Sequence, residues 1–196
     1  ILDPFCGVGS TLKACAYEKR MGYGIELNKK YSDLSVERIK KEVPDNYQFK
    51  KKQEIIQGDC LSVIDSFEND FFDFLITSPP YWNILETKDH KANKRTVQNL
   101  DTKYSQNDQD LGNIDDYDNF IKILGLFFCN CSRIIKSKKY MVIIVSDFRK
   151  KENFYIFHAD LSRYIERNSS FKLKGIKILY QRHKSIFPYG YPFSFV

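Results

Sequence analysis

Short apolar runs and helical periodicities alternate along this chain, and each run ends at a small, acidic or prolyl residue. The first two residues read as the end of a strand that enters Asp3-Pro4-Phe5-Cys6-Gly7-Val8-Gly9-Ser10, followed by a helix over 11–19. A strand over 22–27 comes next. Asn28 suits the cap of the following helix, on which Tyr31, Leu34, Ile39 and Val43 share a face before Pro44 ends it. Residues 54–57 and 71–76 read as strands, with a short helix over 61–67 between them. After Asp115-Asp116-Tyr117-Asp118, whose acidity suits a helix start, Phe120, Ile121, Leu124, Phe127, Phe128, Cys131, Ile134 and Ile135 continue a strongly apolar helix. The unbroken run 141–145 predicts a strand buried on both faces, and 153–167 a further helix. In a last predicted strand over 171–180 the apolar parity switches at Gly175, which predicts a β-bulge there.

This alternation predicts a doubly wound, mostly parallel α/β sheet, a fold that binds ligands beyond the carboxyl ends of its strands. The unusual residues all fall at such ends: Asp3 to Ser10, Glu26, Asp59 and Ser78 to Trp82. With 196 residues and 42% hydrophobic content the chain suits one domain spanning 1–196. A long polar loop, 83–113, interrupts it; its first half is basic through Lys88, Lys91, Lys94 and Arg95, which fits phosphate contacts and equally a solvated loop. The net charge of +6 is compatible with a polyanion partner without requiring one.

No apolar run reaches the length of a membrane span and the start is not signal-like, so a cytoplasmic protein without membrane partners is expected. The five cysteines lack paired C-x-x-C spacing, which argues against a disulfide framework or zinc knuckle. His90, His158 and His183 show no metal-ligand spacing and read as ordinary loop or surface histidines, so no metal is expected.

Gly7 and Gly9 let the main chain turn tightly and approach a ligand, while Glu26, about twenty residues on, is placed to accept the hydroxyls of a ribose. Asp59, closing the third strand, can accept the amino group of an adenine. The most informative stretch is Thr77-Ser78-Pro79-Pro80-Tyr81-Trp82. Its prolines remove two donors and leave an acceptor-rich corner, suited to a substrate that brings N–H groups, with two aromatic rings beside it. Taken alone, the hexapeptide also fits a plain Pro-Pro turn after a strand.

Together, and in this order, the Asp3 to Ser10 turn, Gly24-Ile25-Glu26-Leu27-Asn28, Gly58-Asp59 and Thr77 to Trp82 resemble the motifs of S-adenosylmethionine-dependent DNA amino-methyltransferases. Ser-Pro-Pro-Tyr is most similar to the cytosine-N4 branch; the adenine-N6 branch more often has Asp or Asn before Pro-Pro-Tyr. The resemblance covers nearly the whole chain and implies a Rossmann-like catalytic domain cut short at both ends. It implies S-adenosylmethionine as cofactor, held by Asp3, Pro4, Phe5, Gly7, Gly9, Glu26, Asp59 and Cys60. Ser78, Pro79, Pro80 and Tyr81 would form the catalytic corner. Tyr81 and Trp82 would meet a base flipped from double-stranded DNA, with Lys91, Lys94 and Arg95 on the strand. It further implies DNA methylation within a restriction-modification system beside a cognate endonuclease. Adenine-N6 methylation, amine methylation of an RNA base, and a non-catalytic nucleic-acid-binding remnant stay open as alternatives. Carbon-5 cytosine methylation would need a catalytic-loop cysteine, and the corner has none.

Overall fold

The computed structural model describes residues 1–82, 110–150 and 152–179. Among them, five parallel strands, β1 (Leu2–Asp3), β2 (Gly22–Glu26), β3 (Gln53–Gln57), β4 (Phe72–Thr77) and β5 (Ile135–Ile143), lie in the order β3-β2-β1-β4-β5. Such an order reverses direction at β1, between β2 and β4, so the carboxyl ends of these three strands open onto one crevice.

Helices α1 (Ser10–Tyr17), α2 (Lys29–Glu42), α3 (Cys60–Val63) and α4 (Tyr117–Ile134) lie in the crossovers, and α5 (Phe157–Asn168) follows the last described strand. They cover both faces. Leu12 and Ala16 of α1 pack with Ile39 of α2, Val43 and Ile55 of β3. On the opposite face Leu2, Ile25, Phe72 and Leu75 pack under Phe120, Leu124, Phe127 and Phe128 of α4 and Leu161 and Ile165 of α5. Ile55 pairs with Gly24, the neighbour of Ile25, and alternation along a strand sends adjacent residues to opposite faces. Helix starts are capped as their residue types dictate: Asn28 accepts from the Lys30 N–H, Asp59 from Leu61 and Asp116 from Asn119.

Three expectations are corrected. The run 141–145 is not buried on both faces: Tyr140, Val142 and Ile144 are 59%, 40% and 47% exposed, because β5 lies at the edge of the sheet and no described element covers that side. Residues 171–179 form no strand, so there is no β-bulge at Gly175; a different irregularity lies in β5. There the pairing jumps from Phe72↔Ile135 to Phe74↔Tyr140, with Lys138 in the left-handed region at φ 63°. The third correction concerns 153–167, whose first residues are not helical: β6 (Phe148–Lys150) and β7 (Asn153–Tyr155) form an antiparallel hairpin before α5 begins. Most of the 83–113 loop, including His90, Lys91, Lys94 and Arg95, lies outside the described residues, as do Tyr180 and His183. Among the described residues no helix is long and apolar enough to cross a membrane.

Candidate functional site

The glycine turn after β1 is built around Glu26. Its two carboxylate oxygens accept the Gly7 N–H at 2.9 Å and the Asn28 N–H at 2.8 Å, so the end of β2 fixes the turn that leaves β1. Burial raises the Glu26 carboxyl above its ordinary range; the two N–H bonds pull it down, and the charges of Asp110 and Asp3 push it up. Gly7 holds φ 51° with nothing among the described residues within 4 Å of where a Cβ would lie, so the turn leaves space beside it there. At Gly9, φ is 76° and a Cβ would come 2.1 Å from Ser35 Oγ, so only glycine lets α2 lie this close.

Asp3 is 4% exposed and faces inward. One of its oxygens accepts the Thr77 hydroxyl at 2.6 Å and the Phe5 N–H at 3.2 Å. The carboxylate therefore ties the glycine turn to the last residue of β4, which immediately precedes Ser78. Pro4 is buried beside it, and the half-buried Phe5 sets its ring edge-on to Phe127 at 5.4 Å. Asp3 and Pro4 thus hold the turn's shape from within. Asp59 uses one oxygen on the Leu61 N–H at 3.0 Å; its other oxygen has no hydrogen-bond partner among the described residues. Cys60 packs into the core, and burial lifts its thiol well above the usual range, so its side chain is turned into the core and is a poor nucleophile.

At the corner, Ser78 is exposed, Pro79 buried, and Pro80 and Tyr81 half-buried. The Thr77 carbonyl accepts the Ile144 N–H at 2.8 Å, which carries the chain after β5 alongside the corner. Tyr81 sets its ring 5.8 Å from Phe157 and its hydroxyl 3.5 Å from Ser146 Oγ. Trp82 corrects the sequence expectation. It is 5% exposed, boxed by Tyr117, Phe148 and Tyr155 at centroid distances of 5.4, 6.3 and 5.2 Å, with the Lys150 ammonium 3.7 Å from its ring. No face is left for a base, so Trp82 anchors the corner while Tyr81 stays near the surface.

Three participants carried no readable signal. Thr77 was only the first letter of the corner, Asp110 lies close enough to Glu26 to act on its charge, and Asp147 pairs with His158, whose Nδ1 sits 2.7 Å from an Asp147 oxygen. Long-range pairs of this kind leave no local periodicity to detect.

The crevice thus joins a turn with space beside it, a carboxylate at the end of β2, and one at the end of β3 with a spare oxygen. That set of acceptors suits the hydroxyls and amine of a nucleoside. S-adenosylmethionine fits this site. A family model described as DNA methylase matches residues 1–37, the stretch that holds the glycine turn, Glu26 and the start of α2. No curated protein matches the chain. Among solved structures, monomeric WbdD is similar at TM-score 0.50 and 13% identity, over 90% of this chain and 33% of that one. An S-adenosylmethionine-dependent methyltransferase from Archaeoglobus fulgidus has TM-score 0.40 and 17% identity, over 72% of this chain and 42% of its own. One from Aquifex aeolicus has TM-score 0.45 and 14% identity, over 85% and 69%. The chain therefore spans a third of WbdD and less than half of the Archaeoglobus protein. The likeness to WbdD is one of fold, the Rossmann-like α/β sheet described above.

Proposed function

We propose that this chain is a catalytic domain that transfers a methyl group from S-adenosylmethionine to the exocyclic amine of a base in DNA, with cytosine N4 as the target. The observation that carries the reading is the Asp3–Thr77 hydrogen bond of 2.6 Å, which joins the end of β1, where the glycine turn begins, to the residue before Ser78. A cofactor turn and an acceptor-rich corner are held side by side at one sheet end, as a transfer between two bound molecules requires.

The cofactor, when bound, supplies an electrophilic methyl on a sulfonium. Glu26 orients the ribose and the second oxygen of Asp59 accepts the adenine amine. Ser78 Oγ and the Pro79 carbonyl accept the two N–H groups of the target amine. An aromatic amine is a poor nucleophile because its lone pair is delocalised into the ring; acceptors that draw the nitrogen toward tetrahedral geometry free that pair for attack. Tyr81, half-exposed, stacks on the flipped base. Serine before Pro-Pro-Tyr favours cytosine over adenine, and double-stranded DNA as partner follows from the target. The basic residues Lys91, Lys94 and Arg95, a cognate endonuclease and a cytoplasmic setting belong to the same proposal.

The test supplies the purified chain with labelled S-adenosylmethionine and either duplex DNA or RNA. Label in N4-methylcytosine is the expected result, and Ser78→Ala should lower transfer about tenfold or more while leaving cofactor-product affinity unchanged. Label only in N6-methyladenine or in RNA overturns the cytosine assignment.

A further inference from the structure

Asp147 and His158 meet just beyond the carboxyl end of β5, next to the corner. One Asp147 oxygen accepts both the His158 backbone N–H at 3.2 Å and ring Nδ1 at 2.7 Å. A carboxylate accepts and does not donate, so this contact selects the tautomer with hydrogen on Nδ1 and leaves a lone pair on Nε2. Nε2 has no hydrogen-bond partner among the described residues, and the His158 side chain is 38% exposed.

Two neighbours bring the pair to Tyr81. Ser146, preceding Asp147, approaches the Tyr81 hydroxyl at 3.5 Å, and Phe157, preceding His158, lies 5.8 Å from the Tyr81 ring. Packing explains Phe157, which is fully buried in the main core. Helix capping explains Asp147, because Ile156 has no polar side chain to cap α5 and Asp147 takes the His158 N–H in its place. Neither explains an imidazole with an open nitrogen beside the catalytic corner.

The base-amine reading, on which this inference rests, leaves one proton unplaced. As the amine nitrogen bonds to the methyl carbon, the sulfur–carbon bond breaks and its electron pair stays on sulfur. The positive charge passes to the amine, which must shed an N–H proton. A serine hydroxyl and a prolyl carbonyl accept hydrogen bonds but do not retain a proton near neutral pH. We propose that His158 Nε2 takes that proton, with Asp147 as the positioning residue that holds the ring in its accepting tautomer. The product is then a neutral methylamine and an imidazolium facing the Asp147 carboxylate.

The experiment compares wild type, His158→Ala and His158→Gln in single-turnover transfer from tritiated S-adenosylmethionine to a cytosine-containing duplex, with and without added 4-methylimidazole. Calorimetric binding of S-adenosylhomocysteine reports folding. The expected result is about a tenfold or greater fall in the transfer rate for both variants with unchanged product affinity, and recovery of at least a few-fold when 4-methylimidazole is added to His158→Ala. A glutamine side chain can still donate to Asp147 but cannot hold a proton, so His158→Gln keeps the comparison available if alanine disturbs the fold. Unchanged rates, or slow rates that 4-methylimidazole does not raise, overturn the role of His158. Wild type that labels no base removes the base-amine reading itself, a result separate from an active wild type with unaltered variants.

Discussion

β4 and β5 are neighbouring parallel strands, paired from Phe74 with Tyr140 to Thr77 with Ile143, and these paired stretches are apolar and stop at the same end of the sheet. Yet Leu75 and Thr77 are buried while their partners Met141 and Ile143 are only half-buried, and Ile76 is half-buried while its partner Val142 keeps two-fifths of its surface in water. β4 has a strand on each side and continues into a corner pinned by Asp3 from below and by the Trp82 box from above. Among the described strands β5 has one neighbour, and no described element covers its outer side. Apolar composition sets the capacity for burial; only cover realises it. The strand held on both sides is the one that carries the site.

The largest test of this contrast is Trp82→Ala. Emptying the box should cost about 3–5 kcal/mol of stability, read by urea unfolding, whereas Trp82→Phe should cost clearly less because it removes a buried indole N–H that has no partner among the described residues. A drop confined to DNA affinity would instead return Trp82 to the surface role that its sequence position suggested. Next in size, Glu26→Ala frees the Gly7 and Asn28 N–H groups and removes the proposed ribose acceptor. S-adenosylhomocysteine affinity should fall about 30-fold to 150-fold by calorimetry, equivalent to roughly 2–3 kcal/mol.

Thr77→Val cuts the bond between the two halves of the site and leaves a buried carboxylate short of a donor, at about 1–3 kcal/mol. The Asp3 carboxyl is raised above its ordinary range by burial, against the bonds from Thr11, Thr77 and Phe5. A carboxyl whose folded pKa exceeds its unfolded one keeps its proton longer in the native state. Its ionisation therefore removes stability as pH rises through the folded value, and none is lost below the unfolded value. Asp3→Asn should accordingly gain on wild type as pH rises above the ordinary carboxyl value of about 4 in urea titrations, and a constant difference would contradict the burial cause. The smallest effect belongs to the other strand: Val142→Thr should shift stability by less than about 0.5 kcal/mol, in contrast to Leu75→Ala at about 2–5 kcal/mol.

Much of the site was legible because its parts are local. Gly7 and Gly9 are required by backbone angles, Glu26 and Asp59 by their places at strand ends, and Ser78 to Tyr81 by prolines that exclude regular structure. Trp82 was not legible. An aromatic beside a Pro-Pro corner has the same local signature whether it faces a substrate or the core, and Phe148 and Tyr155, which decide the matter, come from a hairpin far along the chain. The same holds for His158, which in the sequence is one polar residue of an amphipathic helix and in the fold is oriented by Asp147.

By itself the sequence determined the alternation of strands and helices, the glycine turn, the acceptor corner and the order in which they occur. These depend on backbone restrictions and on periodicities of two and 3.6 residues, which act over a few positions. Tertiary structure alone decided which apolar strand is covered, that Asp3 links β1 to β4 rather than facing outward, that Trp82 is an anchor, and that Asp147 orients the His158 imidazole. Each of those depends on which distant segment supplies cover, charge or a hydrogen-bond partner, and sheet order and packing settle that.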